Sequence, residues 1–306
     1  MAIITTGDIP SLLRPGLYEV KTQYDRYVGE YTKVFDTKNS VLFSERLVDV
    51  RGTGYAVEKA QGEAIQMDTM GERFTYEFIH REFALGFEIT NIAMEDDQYA
   101  NSFFNGTKAL TTSYEQMREV IAMNVFNQAF DTRTTIADGQ TLCSTSHPYD
   151  GGTYSNKVGG VGVNVDFSEA GVQQASILAS QLKDQAGLLI NAKLDKLLLP
   201  RQLIFDGCRL LESTYRVGTA NNDINAIYNL KIVPGGYEVN DFLNSPSNWF
   251  ALTNVKDSRL HFVRRPLKIN MQTDPVTESM KIMASGRYSF GVFTPNGVIG
   301  AQGSAV

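Results

Sequence analysis

From about Met94 to Phe130 the chain carries no proline, and Leu110, Tyr114, Met117, Ile121 and Val125 recur at spacings of three and four. That is the period of an amphipathic helix. Some 35 residues at ~1.5 Å each make a rod of roughly 50 Å, about three times the length of an average globular helix. Asp96 and Asp97 suit the positive end of its dipole. Gly106 costs about 1 kcal/mol relative to Ala in a helix interior, so it marks a kink or the true start.

The segments on either side of this rod are of a different kind. Residues 1–45 hold Pro10 and Pro15, then "YEVKTQYDRYVGEYTKVF", which predicts a short helix; the region reads as an arm rather than a domain. From Val48 to Thr90 the pattern is that of strands. Glycines at 52, 54, 62 and 71 punctuate the polar "YAVEKAQGEAIQM", which predicts a long exposed hairpin. Phe74, Tyr76 and Phe78 then share one face, and Phe83, Leu85, Phe87 and Ile89 another, so the parity flips near Arg81 and predicts a bulge or break.

After the long helix, Ser168 is an N-cap candidate for a second helix reaching Gln185. Val172, Ala175, Leu178 and Leu182 form its stripe, and Gly187 can end it. "KLLLP" reads as a buried strand and "RQLIFDGCRLLES" as a third helix. "NAIYNLKIV", "PGG" and "YEV" read as a strand entering a turn. Near the C-terminus, Met280, Ile282, Ala284, Tyr288, Phe290 and Val292 all fall on even positions, one face of a long strand. This order predicts an α+β fold in which the last strands return to the long helix.

Length and charge narrow the function. The chain's 306 residues suffice for about two domains. A net charge of −6 argues against a basic grip on nucleic acid and points to protein partners. Cys143 and Cys208 sit in unlike contexts and make no disulfide framework, so reduced thiols are expected. The N-terminus has no basic leader and apolar run, and no stretch is apolar enough to span a membrane.

One stretch looks reactive. "LCSTSHPYDGGTYSN" packs Cys143, Ser144, Ser146 and His147 together, the residue types of nucleophilic hydrolysis. Yet Pro148, Gly151 and Gly152 place them in an irregular segment, and the G-x-S-x-G elbow is absent. The expectation is a loop whose polar side chains satisfy backbone, with His147 bonding a nearby carbonyl. The scattered His80, His147 and His261 lack metal-ligand spacing, and His80 reads as structural. The glycine runs "GGVGVN" and "RGTGY" lack the patterns of phosphate cradles. "EDD" at 95–97 reads as a solvated helix start. "RRPLK" at 264–268 is a basic cluster suited to a phosphate backbone or to an acidic surface on a neighbouring chain. No catalytic residue, metal or cofactor is expected.

The ordered set "LCSTSHPYDGGTYSN", "GTANNDINAIYNLKIVPGGY", "SPSNWFALTN", "FVRRPLKI" and "ASGRYSFGVFTPNGVIG", with the opening "MAIITTGDIPSLL", resembles the Mu-type major head (capsid) subunit of tailed bacteriophages. The resemblance spans nearly the whole chain and implies the Hong Kong 97 capsid fold. On it, residues 1–47 are an N-terminal arm, 48–73 an extended hairpin (E-loop), and 74–184 a peripheral domain with a spine helix at 94–130. Residues 185–257 are then an axial domain, and 258–306 are strands rejoining the peripheral domain. The implied function is structural: a non-enzymatic subunit that self-assembles as hexamers and pentamers into an icosahedral head in the bacterial host cytoplasm, ending in the virion around double-stranded DNA.

The implied partners are further copies of the chain, a portal, decoration proteins and weakly held DNA. The arm begins almost at Met1, so a separate scaffold protein is also expected. Candidate intersubunit contacts are Arg51, Tyr55, Glu58, Lys59, Glu63, Arg264 and Arg265. The type member of the fold cross-links Lys to Asn; Lys59 and Asn270 are present, but a solvated lysine is the expectation here. The alternatives are an encapsulin-like nanocompartment of the same fold, or a soluble hydrolase using Cys143 or Ser144 with His147.

Overall fold

The structure, a computed structural model, describes residues 29–90, 100–216 and 223–304. The expected arm before Gly29 and the acidic helix start at Asp96 and Asp97 lie outside these residues. The long helix, α1, spans Ala100–Asn127. It continues through Gly106, where a Cβ would stand 3.2 Å from the Phe87 ring, so glycine suits the close approach of that ring.

The buried side of α1 is rotated from the expected stripe. Leu110, Tyr114, Ala122, Met123 and Phe126 are buried, but so are Glu115 and Glu119, whereas Met117 is 46% exposed. Apolar spacing alone misses this, because Glu119 is hydrogen-bonded by Asn240 from another part of the fold and Glu115 pairs with Arg118 within the helix.

The first body is a sheet of order β1–β10–β11–β4, made of Asp36–Asn39, Arg259–Thr273, Met280–Val292 and Arg81–Ile89. β1 runs parallel to β10; the other pairs are antiparallel, with Ala284 between Ile269 and Leu85. The even-numbered residues Met280, Ile282, Ala284 and Tyr288 face α1 at Leu110 and Tyr114, as their alternation predicted.

β2 (Ser44–Arg51) and β3 (Gly71–Ile79) form a separate two-stranded ribbon, and residues 52–70 between them form no strand. The parity flip has a clear cause. β3 ends at Ile79 and β4 begins at Arg81 in a different sheet. His80 between them is buried, its ring nitrogens each 3.0 Å from the hydroxyls of Ser289 and Ser40.

The second body is a sheet of order β12–β9–β7–β8: Val298–Ala301, Trp249–Thr253, Leu194–Pro200 and Tyr237–Asn240. "KLLLP" is β7, buried as its run of leucines requires. α2 (Glu169–Gln181) packs over this sheet, with the Ser168 hydroxyl accepting from the Gly171 N–H at 3.2 Å. It stops four residues before the expected Gln185; Gly187 instead takes a positive φ of 86° in the following turn. α3 is Ile204–Leu211.

The expected strand in "NAIYNLKIV" is instead a single helical turn, α4 (Ala226–Asn229). Asn225 forces that choice, because its Oδ1 accepts from both Ile227 and Tyr228 N–H and caps the turn. "YEV" does form a strand, as the start of β8. A short hairpin, β5 (His147–Tyr149) and β6 (Gly152–Tyr154), precedes α2. Phe126 of α1, Phe250 of β9 and Val298 of β12 share one core cluster, so the long helix is packed onto both sheets. Among the described residues no helix is long and apolar enough to cross a membrane.

Candidate intersubunit surfaces

The reactive-looking segment is built as a knot. Asn156 donates its amide nitrogen to the carbonyls of Leu142 (2.8 Å), Val298 (2.9 Å) and Pro295 (3.2 Å). Its oxygen therefore faces the other way, accepting from the Ser144 N–H and standing 2.9 Å from His147 Nε2. His147 Nδ1 lies 2.6 Å from Asp138 Oδ2. So His147 bonds a carboxylate and a side-chain amide rather than the backbone carbonyl expected. The ring is fully buried, and burial pushes the Cys143 thiol far up, away from the nucleophilic thiolate. Ser144 and Ser146 hydroxyls lie near Gln140, which is no base. Asn156 and Asp138 went unnoticed in the sequence, since lone polar residues in a loop carry no periodic signal.

The candidate contact residues fall into three places. Tyr55 (72% exposed), Glu58, Lys59 and Glu63 sit together in the loop between β2 and β3, where Val57, Ile65, Met67 (86% exposed) and Met70 are also bare. Glu63 accepts from the Ala60 N–H at 3.2 Å, a local turn. Arg51 stands at the root of the ribbon, its Nε 2.8 Å from Asp150 and its Nη1 donating to the Thr69 carbonyl at 2.9 Å. Arg264 and Arg265 lie at a register shift in β10, and Arg265 pairs with Glu82 at 2.5 Å.

Two further surfaces carried no signal in the pattern. Val41, Leu42 and Phe43 form a bare apolar loop between β1 and β2. A groove of about 540 Å³ runs between α1 and the strands, lined by Met117, Ile121, Val125, Ile136 and Phe83. The residues of the expected helix stripe that are not buried thus face this groove.

On the opposite side of α1 lies a charged cluster. Arg118 donates to the Tyr31 hydroxyl at 2.9 Å, pairs with Glu115 at 2.9 Å and sits over the rings of Tyr31, Tyr114 and Tyr288 at 5.1–5.7 Å. Burial outweighs the arginine and pushes Glu115 up to about 7. Glu119 Oε1 accepts the Tyr31 backbone N–H at 3.2 Å, and burial raises its pKa too. Asn240 donates one amide nitrogen to both Glu30 (3.2 Å) and Glu119 (3.4 Å). His261, stacked on Phe290 at 4.1 Å, is pushed down to about 3 by burial and by Arg118.

Among the described residues no three His, Cys, Asp or Glu side chains stand together as metal ligands. No protein-family model matches the chain, and no curated protein matches its sequence. Solved structures do match in shape. A virus-like particle from Pyrococcus furiosus is similar at TM-score 0.54 and 10% identity, over 95% of this chain and 98% of that one. A chain from Mycobacterium phage Patience matches at TM-score 0.55 and 12% identity, over 99% and 89%. The capsid of Myoviridae phage XM1 matches at TM-score 0.53 and 11% identity, over 91% and 93%. At these identities the likeness establishes the fold, an α+β arrangement of the Hong Kong 97 capsid type.

Proposed function

We propose that this chain is the major capsid subunit of a tailed bacteriophage, a structural protein whose copies close into an icosahedral head around double-stranded DNA. The observation that carries this reading is the shared fold with the XM1 capsid over 91% of this chain and 93% of that one. The chemistry agrees. The clustered nucleophile candidates are buried or baseless, while apolar side chains stand bare on the ribbon loop. A surface of that kind is a liability on a lone subunit and is stabilised by a neighbour.

Within this reading, residues 1–47 are the arm, 48–73 the hairpin that reaches a neighbour, and 74–184 the peripheral domain with α1 as its spine. Residues 185–257 are the axial domain, and 258–306 the returning strands. The ordered stretches resembling Mu-type head subunits support placement in that subfamily. Tyr55, Glu58, Lys59 and Glu63 are then contacts made by the hairpin, with Arg51 bracing its root and Arg264 and Arg265 on the sheet. The partners are further copies in hexamers and pentamers, a scaffold protein during assembly in the host cytoplasm, a portal, and decoration proteins. DNA is held weakly, because the chain's net charge of −6 supplies no excess of cations for phosphate.

The Pyrococcus furiosus particle favours a second reading, a nanocompartment shell of the same fold. Negative-stain electron microscopy of the purified protein, alone and with a candidate scaffold, tests both. Closed shells, or rings of six and five subunits, are expected. Strictly monomeric particles in both preparations at high concentration overturn the capsid reading. Shells that incorporate a portal and fill with DNA separate a phage head from a cargo compartment.

A further inference from the structure

The charged cluster beside α1 has no role in shell contacts as proposed, and its geometry is unusual in one respect. Two carboxylates from distant parts of the chain, Glu30 and Glu119, share a single amide donor, Asn240 Nδ2. The amide is held in this orientation by its oxygen, which accepts from the Phe242 N–H at 2.9 Å. Glu30 belongs to the one-turn segment Glu30–Lys33 that leads into β1, Glu119 to α1, and Asn240 to β8. Tyr31, between them, packs its ring edge-on against His261 of β10 and Phe290 of β11. Five elements therefore meet around this carboxyl pair.

We propose that the Glu30–Glu119 pair bridged by Asn240 is a proton-operated latch: taking up one proton fixes residues 29–35 against α1 and both sheets, and releasing it loosens them. The inference goes beyond the capsid reading and does not depend on it.

The groups facing the pair decide the sign. From the segment itself come Tyr31 and Lys33, and Lys33 is engaged by Glu238 at 2.5 Å. From β8 and its end come Glu238 and Asp241, and Asp241 holds Arg201 at 2.5 Å. The cations that face Glu30 are thus already paired, and Glu238 and Asp241 add negative charge to its surroundings. From α1 come Tyr114, Glu115 and Arg118; the arginine is spent on Glu115 and Tyr31. From the sheets come Tyr288, His261, Arg259 and Lys196; the last two donate to the Val34 carbonyl at 2.9 Å and the Lys33 carbonyl at 3.1 Å, and His261 stays neutral across the working range, its pKa pushed down to about 3. Burial raises both Glu30 and Glu119 above the ordinary glutamate value, so docking costs least when one is protonated. A carboxyl whose pKa rises on docking binds more proton in the docked state. Docking is therefore strongest below the free glutamate value and weakens as pH climbs through the raised one. Acid tightens this latch, the opposite of ordinary acid loosening.

The Tyr31 amide, donated to Glu119, is the reporter. Hydrogen exchange of residues 29–35 is measured on the unassembled full-length chain at about pH 5 and about pH 7.5, corrected for intrinsic rates, with about tenfold greater protection expected at acid pH for each unit of raised proton affinity. Glu30→Gln together with Glu119→Gln, which keeps both shapes and removes both titrating groups, is expected to show high protection at both pH values. Circular dichroism confirms that the variant is folded. Equal or lower protection at acid pH in the unaltered chain overturns the latch, and so does a pH dependence that survives the double replacement. Because the measurement is made on subunits, a failure to form shells would sink the functional reading and leave this result untouched.

Discussion

His147 and Asp138 stand 2.6 Å apart with the imidazole fully enclosed, and that pair ties the 131–156 segment to the C-terminal strands through Asn156. Replacing His147 with Ala removes the partner of Asp138 Oδ2 and one of the two partners of the buried Asn156 Oδ1. The expected loss is about 3 kcal/mol of unfolding free energy, read as a lower urea midpoint at unchanged slope. A soluble esterase assay on the same variant and its parent is expected to show no turnover in either.

Gly29 carries a steric rather than a conformational demand. A Cβ there would lie 2.5 Å from the Tyr31 ring and 2.6 Å from Glu119 Oε1. Gly29→Ala is therefore expected to expel residues 29–33 from α1, and limited proteolysis should cut the variant there at a concentration that spares the parent. Equal resistance in the two chains would argue against the packing described.

Ile282 is fully buried between α1 and the sheet, in contact with the cluster around Leu110 and Tyr114. Ile282→Ala removes most of a core side chain with little room for collapse. The expected cost is about 2–5 kcal/mol in chemical denaturation. The same change at Met283, on the other face of the strand and 37% exposed, should cost much less.

Met67→Asp alters a side chain that touches no core. Its thermal midpoint is expected to match the parent, while shell or ring formation in electron micrographs is lost. Loss of folding instead would mean the ribbon loop is packed within its own subunit.

Glu115 supplies a global pH test. Its pKa moves from the ordinary 4.5 up to about 7 on folding, so its contribution is fully present below about pH 4.5 and lost as pH rises through about 7. Glu115→Gln, which keeps a partner for Arg118, should flatten the fall in stability across that window. Urea melts of both chains at several pH values check it; an unchanged slope of stability with pH would contradict the assignment.

Local repetition along the chain encodes several elements of this fold. The even-numbered face of β11 needed only alternation, and α1 needed only a long proline-free run. The Ser168 cap needed one hydroxyl before an apolar stripe, and the break at His80 needed only a parity count. All of these depend on residues within a few positions of one another. The tertiary structure decided the rest, because the deciding contacts join residues far apart in the chain. The Phe87 ring packs close on α1 at Gly106, and Asn225, held by its amide nitrogen to the Leu210 and Ser213 carbonyls, caps a helical turn where a strand was expected. Asn156 and Asp138 convert a seeming nucleophile cluster into a buried knot. The buried face of α1 turned toward Glu115 and Glu119 because Arg118 pairs with Glu115, and Tyr31 and Asn240, from remote segments, supply the hydrogen bonds that let the Glu119 carboxyl leave water there. Periodicity reports which residues avoid water, and only the assembled fold shows which polar ones have found partners.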